Sequence, residues 1–462
     1  MSICNLKSMF RKTLLFWAIK ILYVFLTVYL LDGLWYTGYG SYGIDFVLLK
    51  ELLGTVVFLF MALFFTSMQS KGTFIDSLMT MLFVLYYIPL NSAFSINNTD
   101  FLFFLKSNIY YFLILLCVRW FIKTPKNKAT DTSLEKNDLI YKVFDPAFVR
   151  VMCVSVCVFC IVYKIMYNGF SFSLSLSSDD IYSTRGEFQT SLDAMSGSLF
   201  SYVFSIVRNL ADMIIPLYLY YSITQKKFFG FVLSTLSLLS MFSVKSSKTS
   251  LIFVLVVLVI VVLRKTKFIK KFSTLFTVGI LALLLVCLFE TLLFDSSKIY
   301  MLLIRRVLYY PAWLNSLYVD FFSQNAKVMW TQDTFLLQMV FSPQYPQGIL
   351  STISNYFYNG QIPSPNTGMF AEAYMHWGEL GIAIYPMILT ALMVFSNKVF
   401  SKYGEPISIL VAVKLVLKLT NVPLVRTDFM LSYVLFVVLI SFLPRLVFQR
   451  RMERASPENA LL

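Results

Sequence analysis

The feature that most constrains this chain is the recurrence of apolar runs about twenty residues long. A helical residue rises 1.5 Å and the hydrocarbon core of a bilayer is about 30 Å thick, so about twenty apolar residues make one crossing. Runs of that kind fall at 13–32, 46–66, 74–90, 101–121, 147–166 and 198–222, then at 229–244, 250–263, 273–293, 377–397, 406–424 and 429–447. The pattern predicts an all-α, polytopic integral membrane helix bundle of about twelve spans. Composition agrees. Hydrophobic residues make up 58% of the chain and charged residues 14%, with a mean hydropathy of +0.73. A soluble domain runs near 45–50% apolar and 25% charged, so no single soluble core would hide this much apolar surface. Soluble enzymes, disordered chains and disulfide scaffolds are excluded on that ground.

The net charge is +15, and its distribution matters more than its size. With the N-terminus inside, 23 Lys and Arg fall in cytoplasmic segments and eight in outer ones. That is the positive-inside bias, so the charge reads as topology and not as a nucleic-acid footprint. Both termini are expected in the cytoplasm. The basic runs at 119–142 and 264–271 also suit anionic lipid head groups. The first span follows Arg11 and Lys12 but carries Lys20 and lacks a small-residue exit, so it reads as an uncleaved anchor. The six cysteines all lie in or beside apolar runs, which favours helix packing over structural disulfides. Cys153, Cys157 and Cys160 share one helix face, with no histidine or carboxylate beside them to complete a metal site.

Polar chain is concentrated in two long outer loops. The expected organisation is spans one to five over 1–166, a first loop over 167–197, spans six to nine over 198–293, a large loop over 294–376, and the last three spans with a cytoplasmic tail over 377–462. Long ordered loops tend to be functional. Residues 299–322, rich in Tyr, Trp and Phe, are helical in pattern and suit a membrane interface, with Arg305 and Arg306 on the polar side. No GxxxxGKS/T, GxGxxG, HExxH or GxSxG run is present. The chain has one histidine, His376, which rules out a multi-histidine metal site. No cofactor and no metal are expected.

The run NTGMFAEAYMHWGELG, Asn366 to Gly381, resembles the end of the large periplasmic loop in bacterial oligosaccharide repeat-unit polymerases, the Wzy group of O-antigen and capsule polymerases. Thr367, Gly368, Phe370, Glu372, Tyr374, Gly378 and Gly381 fall at the positions that run keeps. The KSSKTS hairpin at 245–250 and the Arg-x-Asp at 426–428 resemble the group more loosely. Two features depart from its pattern. Arg185 is followed by Gly197, one residue beyond the Arg-x10-Gly spacing, and His376 stands where the group commonly has Asn.

The resemblance implies a GT-C-like glycosyltransferase at the periplasmic face of the bacterial inner membrane. Its substrate would be an undecaprenyl-diphosphate-linked oligosaccharide, its surroundings membrane lipid, and its protein partner a chain-length regulator; no nucleic acid is involved. Alternatives are the O-antigen ligase, which would depend on a loop histidine, the lipid-linked oligosaccharide flippase, which would have short loops, and a non-catalytic scaffold. Glu372 and His376, at i and i+4, are the candidates for the base that takes the acceptor proton. Diphosphate needs cations, and the candidates are Arg208, Lys245, Lys248, Arg305, Arg306 and Arg426. Arg185, Tyr374 and Asp428 complete the candidate substrate contacts. For each the bland alternative is structural. Arg208 and Asp212 are i, i+4 neighbours able to pair, Glu372 and Arg426 are able to bridge, and Lys20, Lys50, Lys106, Arg150 and Lys164 lie near enough to helix ends to snorkel. Lys414 and Lys418 share a face of the eleventh span.

Overall fold

A computed structural model describes the chain except for residues 1–2, 33–34, 37–39, 42, 69–71, 123–143, 145, 169–198, 246–247, 265, 332–336, 338–339, 359–367, 421–423, 425–428 and 443–462. The regular secondary structure of the described residues is helical apart from a short antiparallel ladder, Trp35–Tyr36 with Gly40–Ser41. Among the described residues, seven helices are long and apolar enough to cross a membrane: Leu6–Leu31, Leu48–Ser67, Thr73–Ile96, Phe101–Phe121, Ala147–Met166, Phe268–Phe294 and Glu379–Phe400. Phe228–Ser243, Phe253–Leu263 and Phe429–Phe442 are shorter apolar helices. Leucine, isoleucine, valine and phenylalanine fill these runs, and in lipid a helix is the one open-chain structure that satisfies every backbone polar group.

The chain divides into two compact units that interleave in sequence. The first comprises residues 1–126, 271–395 and 415–426; the second comprises 127–270, 396–414 and 427–462. In the first unit, α1 (Ile3–Leu31) packs on α2 (Leu48–Ser67) and on a later helix, Phe272–Phe294. The third apolar helix, α3 (Thr73–Ile96), is π-helical over Phe83–Tyr87 and buried along most of its length. Wide turns of this kind insert one extra residue, which re-aims side chains and often marks a functional site. Here all five residues of the turn, Phe83, Val84, Leu85, Tyr86 and Tyr87, are buried.

The aromatic segment is a core element. Tyr300–Tyr309 is π-helical and continues as an α-helix over Tyr310–Gln324. The sequence pattern places an amphipathic interface helix here, but Tyr300, Tyr309, Trp313, Tyr318, Phe321 and Phe322 are all buried. Two of the tyrosine hydroxyls are partnered inside the protein: Tyr300 donates to Thr27 Oγ1 at 2.8 Å, and the Tyr309 hydroxyl accepts from the Asn97 amide at 2.8 Å. Tyrosine buried in lipid or protein needs such a partner.

Lys20 also departs from its reading as a snorkelling end residue. It is fully buried and its ammonium pairs with the Glu51 carboxylate, which further accepts from Thr55 at 3.1 Å and Ser95 at 2.5 Å. A lone charge at mid-bilayer costs about 2.5–3.5 kcal/mol on insertion scales, and a paired carboxylate with further hydrogen bonds offsets part of that penalty. In the second unit, Phe228–Lys245 packs on both Ala147–Asn168 and Leu199–Thr224. Cys153, Cys157 and Cys160 are buried there, and the Cys157 carbonyl accepts from Ser237 at 3.1 Å, so the cysteine face is a helix contact.

Candidate functional site

The run singled out in the sequence forms a nine-residue helix, Met369–Trp377, of which residues Met369 to His376 are all buried. A helix this short is marginal by itself, and burying it exposes the problem of its unpaired end groups. The first unit solves both ends with groups from elsewhere. At the N-terminus the Phe370 N–H donates to the Tyr86 hydroxyl at 2.8 Å, and the Ala371 N–H donates to Asn315 Oδ1 at 2.9 Å. Tyr86 in turn donates to the same Asn315 oxygen at 3.2 Å, and Asn315 Nδ2 donates to the Pro311 carbonyl. At the C-terminus the N–H groups of Val328 and Met329 donate to the carbonyls of Met375 and His376, at 3.1 and 3.3 Å. Gly378, at φ +57°, ends the helix by returning its N–H to Tyr374.

The glycine spacing of the run now has a steric reason. A Cβ at Gly368 would sit 2.6 Å from the Tyr86 ring, and one at Gly381 would sit 1.8 Å from the Ala373 carbonyl oxygen. Both positions are where backbone meets a neighbour directly. Phe370 completes the packing, with its ring centroid 5.8 Å from Phe103 and 5.5 Å from Tyr110.

Glu372 and His376 lie one turn apart, fully buried, and both face Tyr385 of the next helix, Glu379–Phe400. Tyr385 donates its hydroxyl proton toward Glu372 Oε1 at 3.5 Å, and the rings of His376 and Tyr385 are 6.4 Å apart and nearly parallel. The other Glu372 oxygen accepts a short hydrogen bond from the Leu424 N–H. His376 Nδ1 accepts from the Trp330 N–H at 3.1 Å.

Tyr374 carries two ammonium groups. Lys106 Nζ lies 4.5 Å from the ring centroid and donates to its hydroxyl at 3.2 Å, while Lys327 Nζ lies 4.2 Å from the same centroid. Lys106 is also paired with Glu379 at 2.6 Å, and the Glu379 side chain remains two-thirds exposed. Burial first, and the like charge of Lys106 second, push the Lys327 ammonium below the ordinary lysine value, with Glu379 opposing. Two lysines and one carboxylate leave one net positive charge at this edge of the helix, beside a carboxylate and a histidine. Neither lysine stood out in the sequence: Lys106 reads as an end residue of an apolar span and Lys327 as one cation of a long loop.

The other sequence candidates are dispersed. Arg305 and Arg306 sit half-buried on the π-helical Tyr300–Tyr309. Arg208 lies in Leu199–Thr224 of the second unit, where Nη2 donates to Ser205 at 3.4 Å. Its neighbour Asp212 meets Lys414 at 3.5 Å, a partner the local i, i+4 reading did not name. Lys245 closes one helix and Lys248 opens the next, with side chains outside the described part; Arg185, Arg426 and Asp428 lie outside the described residues altogether. Tyr86, Asn315, Trp330 and Tyr385 were missed because nothing in the sequence marks an aromatic or amide as a cap for a helix far along the chain.

No protein-family model, no curated protein and no solved structure matches this chain, so the site stands on its own geometry.

Proposed function

We propose that this protein is a membrane-embedded glycosyltransferase that joins undecaprenyl-diphosphate-linked oligosaccharide repeat units into an O-antigen or capsular polysaccharide. The observation that carries the reading is the helix Met369–Trp377. The segment that resembles the repeat-unit polymerases is the one built around a buried carboxylate, with lysines gathered on its tyrosine. In this reading the chain crosses the bacterial inner membrane about twelve times, keeps both termini in the cytoplasm and turns the helix toward the periplasm. Membrane lipid surrounds it and a chain-length regulator is its protein partner.

The chemistry then assigns itself by residue type. Glu372 takes the proton of the acceptor hydroxyl as that oxygen attacks the anomeric carbon, and the bond from that carbon to the diphosphate oxygen breaks. The departing diphosphate gains negative charge on its bridging oxygen and needs cations, which Lys106 and Lys327 supply beside Tyr374, with Arg305, Arg306, Lys248 and Arg426 as the candidates from the outer loops. Glu372 and His376 are inaccessible as the structure stands, so the acceptor enters only when contacts around this helix open.

That burial favours a second reading at one point: Glu372 is a strut tying the helix to Leu424, and the base lies elsewhere. Glu372→Gln separates the two, because Gln keeps the size and much of the hydrogen bonding but cannot take a proton. Loss of polymer at normal membrane abundance supports the base; unchanged polymer supports the strut. Deleting the gene, followed by gel separation of surface polysaccharide, tests the activity itself. A single repeat unit on lipid A–core supports the polymerase, and loss of even single-unit material points to the flippase or the ligase.

A further inference from the structure

Beside the helix Met369–Trp377 the backbone does something L-residues avoid. Met329 and Trp330 are consecutive, bulky, and both left-handed, at φ +51° and +65°. Such residues cost energy and persist where the surroundings over-determine them, often at functional sites. The corner is held by a run of donations: Val328 N–H to Met375 O, Met329 N–H to His376 O, and Thr331 N–H back to Val328 O. Trp330 contributes two more. Its main-chain N–H reaches His376 Nδ1 at 3.1 Å, and its indole Nε1–H reaches the Tyr385 hydroxyl at 2.7 Å.

The direction of these bonds is not free. A main-chain N–H and an indole N–H only donate. His376 Nδ1 must therefore present a lone pair, which puts the proton of the neutral ring on Nε2. The Tyr385 oxygen must likewise accept from the indole, which sends its own proton elsewhere, and Glu372 Oε1 is in reach at 3.5 Å. With the Leu424 N–H on the other oxygen, Glu372 receives donors on both sides. Among the described residues Tyr86 and Tyr110 also feel its charge, and His376 lies one turn along its own helix.

We infer that Trp330 is the positioning residue of this site: held in a strained corner, its two N–H groups set His376 as the Nε2–H tautomer and turn the Tyr385 proton onto Glu372. His376 then carries its ring proton on Nε2, and Glu372 accepts the hydrogen bond from Tyr385. What the site does with that arrangement rests on the polymerase reading; the proton positions do not.

One histidine in the chain makes the first test clean. Nitrogen-15 NMR of the purified, histidine-labelled full-length protein at neutral pH should show Nδ1 as the unprotonated nitrogen and Nε2 as the protonated one. An Nδ1–H ring, or an even mixture, would overturn the inference without any variant having to fold. The second test reads Glu372 by infrared spectroscopy during a pH titration, with Glu372→Gln used to identify its carboxyl band. Hydrogen bonds to a carboxylate favour its charged form, so Tyr385→Phe should raise the proton affinity of Glu372 by about tenfold. Trp330→Phe should raise it by less, and Met329→Gly, which relieves the backbone and keeps every donor, should leave it in place. An unchanged Glu372 titration in Tyr385→Phe and Trp330→Phe would also overturn the inference. Polymer formation from lipid-linked substrate, followed against pH in the same variants, separates the two readings. If the spectra shift as stated while polymer formation is unaltered, the proton positions stand and Glu372 is not the polymerase base.

Discussion

Two charged sites in this protein, one in each unit, solve the same problem in different ways. In the second unit Asp212 and Lys414 meet at 3.5 Å beside an apolar pocket lined by Phe253, Pro216, Tyr433 and Phe436, and Lys414 also stacks on the Phe253 ring at 4.5 Å. In the first unit Glu372 accepts from a main-chain N–H and a tyrosine hydroxyl, on a short helix whose ends are met by Tyr86, Asn315 and the Val328–Met329 backbone. A charge that only has to survive in an apolar interior needs one counter-ion. Hydrogen bonds from a main-chain N–H and a hydroxyl also favour the charged form of a carboxylate, and removing one raises its proton affinity. The contrast is between a carboxylate met by an ammonium and one met by a main-chain N–H and a hydroxyl.

The largest effect expected from breaking that contrast comes from backbone. Gly381→Ala would drive a Cβ to 1.8 Å from the Ala373 carbonyl, and the helix would be displaced from Tyr385. A loss above about 4 kcal/mol is expected, seen as failure to accumulate in membranes. Gly279→Ala is the control, since nothing lies within 4 Å of that added methyl; it should be neutral or stabilising by up to about 1 kcal/mol.

Next comes Glu372→Gln. Removing a general base costs about 10²–10⁴ in rate, so polymer made by purified enzyme should fall by that order while membrane abundance stays normal. At the other site the sign is opposite: Lys414→Met should not touch the chemistry but should destabilise the protein by about 3 kcal/mol, because it removes the ammonium that meets Asp212 in a largely buried setting. The double change Asp212→Leu with Lys414→Met should recover most of that loss in a detergent melting curve. If the double variant melts normally yet makes no polymer, the Asp212–Lys414 pair belongs to the reaction and the contrast fails.

Asn315→Leu probes the cap. It strands the Ala371 N–H and removes the acceptor for Tyr86, for an expected loss of about 1–3 kcal/mol. The smallest effect is in pH. The Lys327 ammonium sits below the ordinary lysine value, so it loses its proton earlier than an exposed lysine as pH rises. If its charge holds the leaving diphosphate, polymer formation should decline on the alkaline side before an ordinary lysine would titrate. Lys327→Arg should move that decline to higher pH, because guanidinium keeps its proton.

Much of the architecture is legible in the chain because lipid imposes it: each apolar run has no stable form but a helix, and all twelve runs contain helix in the structure. Seven of the described helices meet the length and apolarity of a crossing unaided. Where polar residues interrupt a run, as Lys414 and Lys418 do, sequence alone overstates its apolarity. The aromatic segment shows the opposite error. Its Tyr and Trp content resembles an interface belt, yet buried tyrosine is stable when its hydroxyl is partnered, and Thr27 and Asn97 are partners that composition does not reveal.

At the site, local information reached as far as one helix. Glu372 and His376 share a face because 3.6 residues make a turn, and Gly368, Gly378 and Gly381 stand where a side chain would collide or the backbone turns left-handed. Everything that gives those residues a role comes from elsewhere in the chain: Tyr86 from 284 residues away, Lys106 from 268, Asn315 from 56 and Trp330 from 46. Sequence by itself determined the solvent, the helices and the helix that carries the carboxylate, since those follow from hydropathy and backbone sterics acting over a few turns. Only the tertiary structure decided which donors meet Glu372 and His376. A hydrogen bond forms between groups within about 3 Å in space, and the fold alone sets which distant residues come that close.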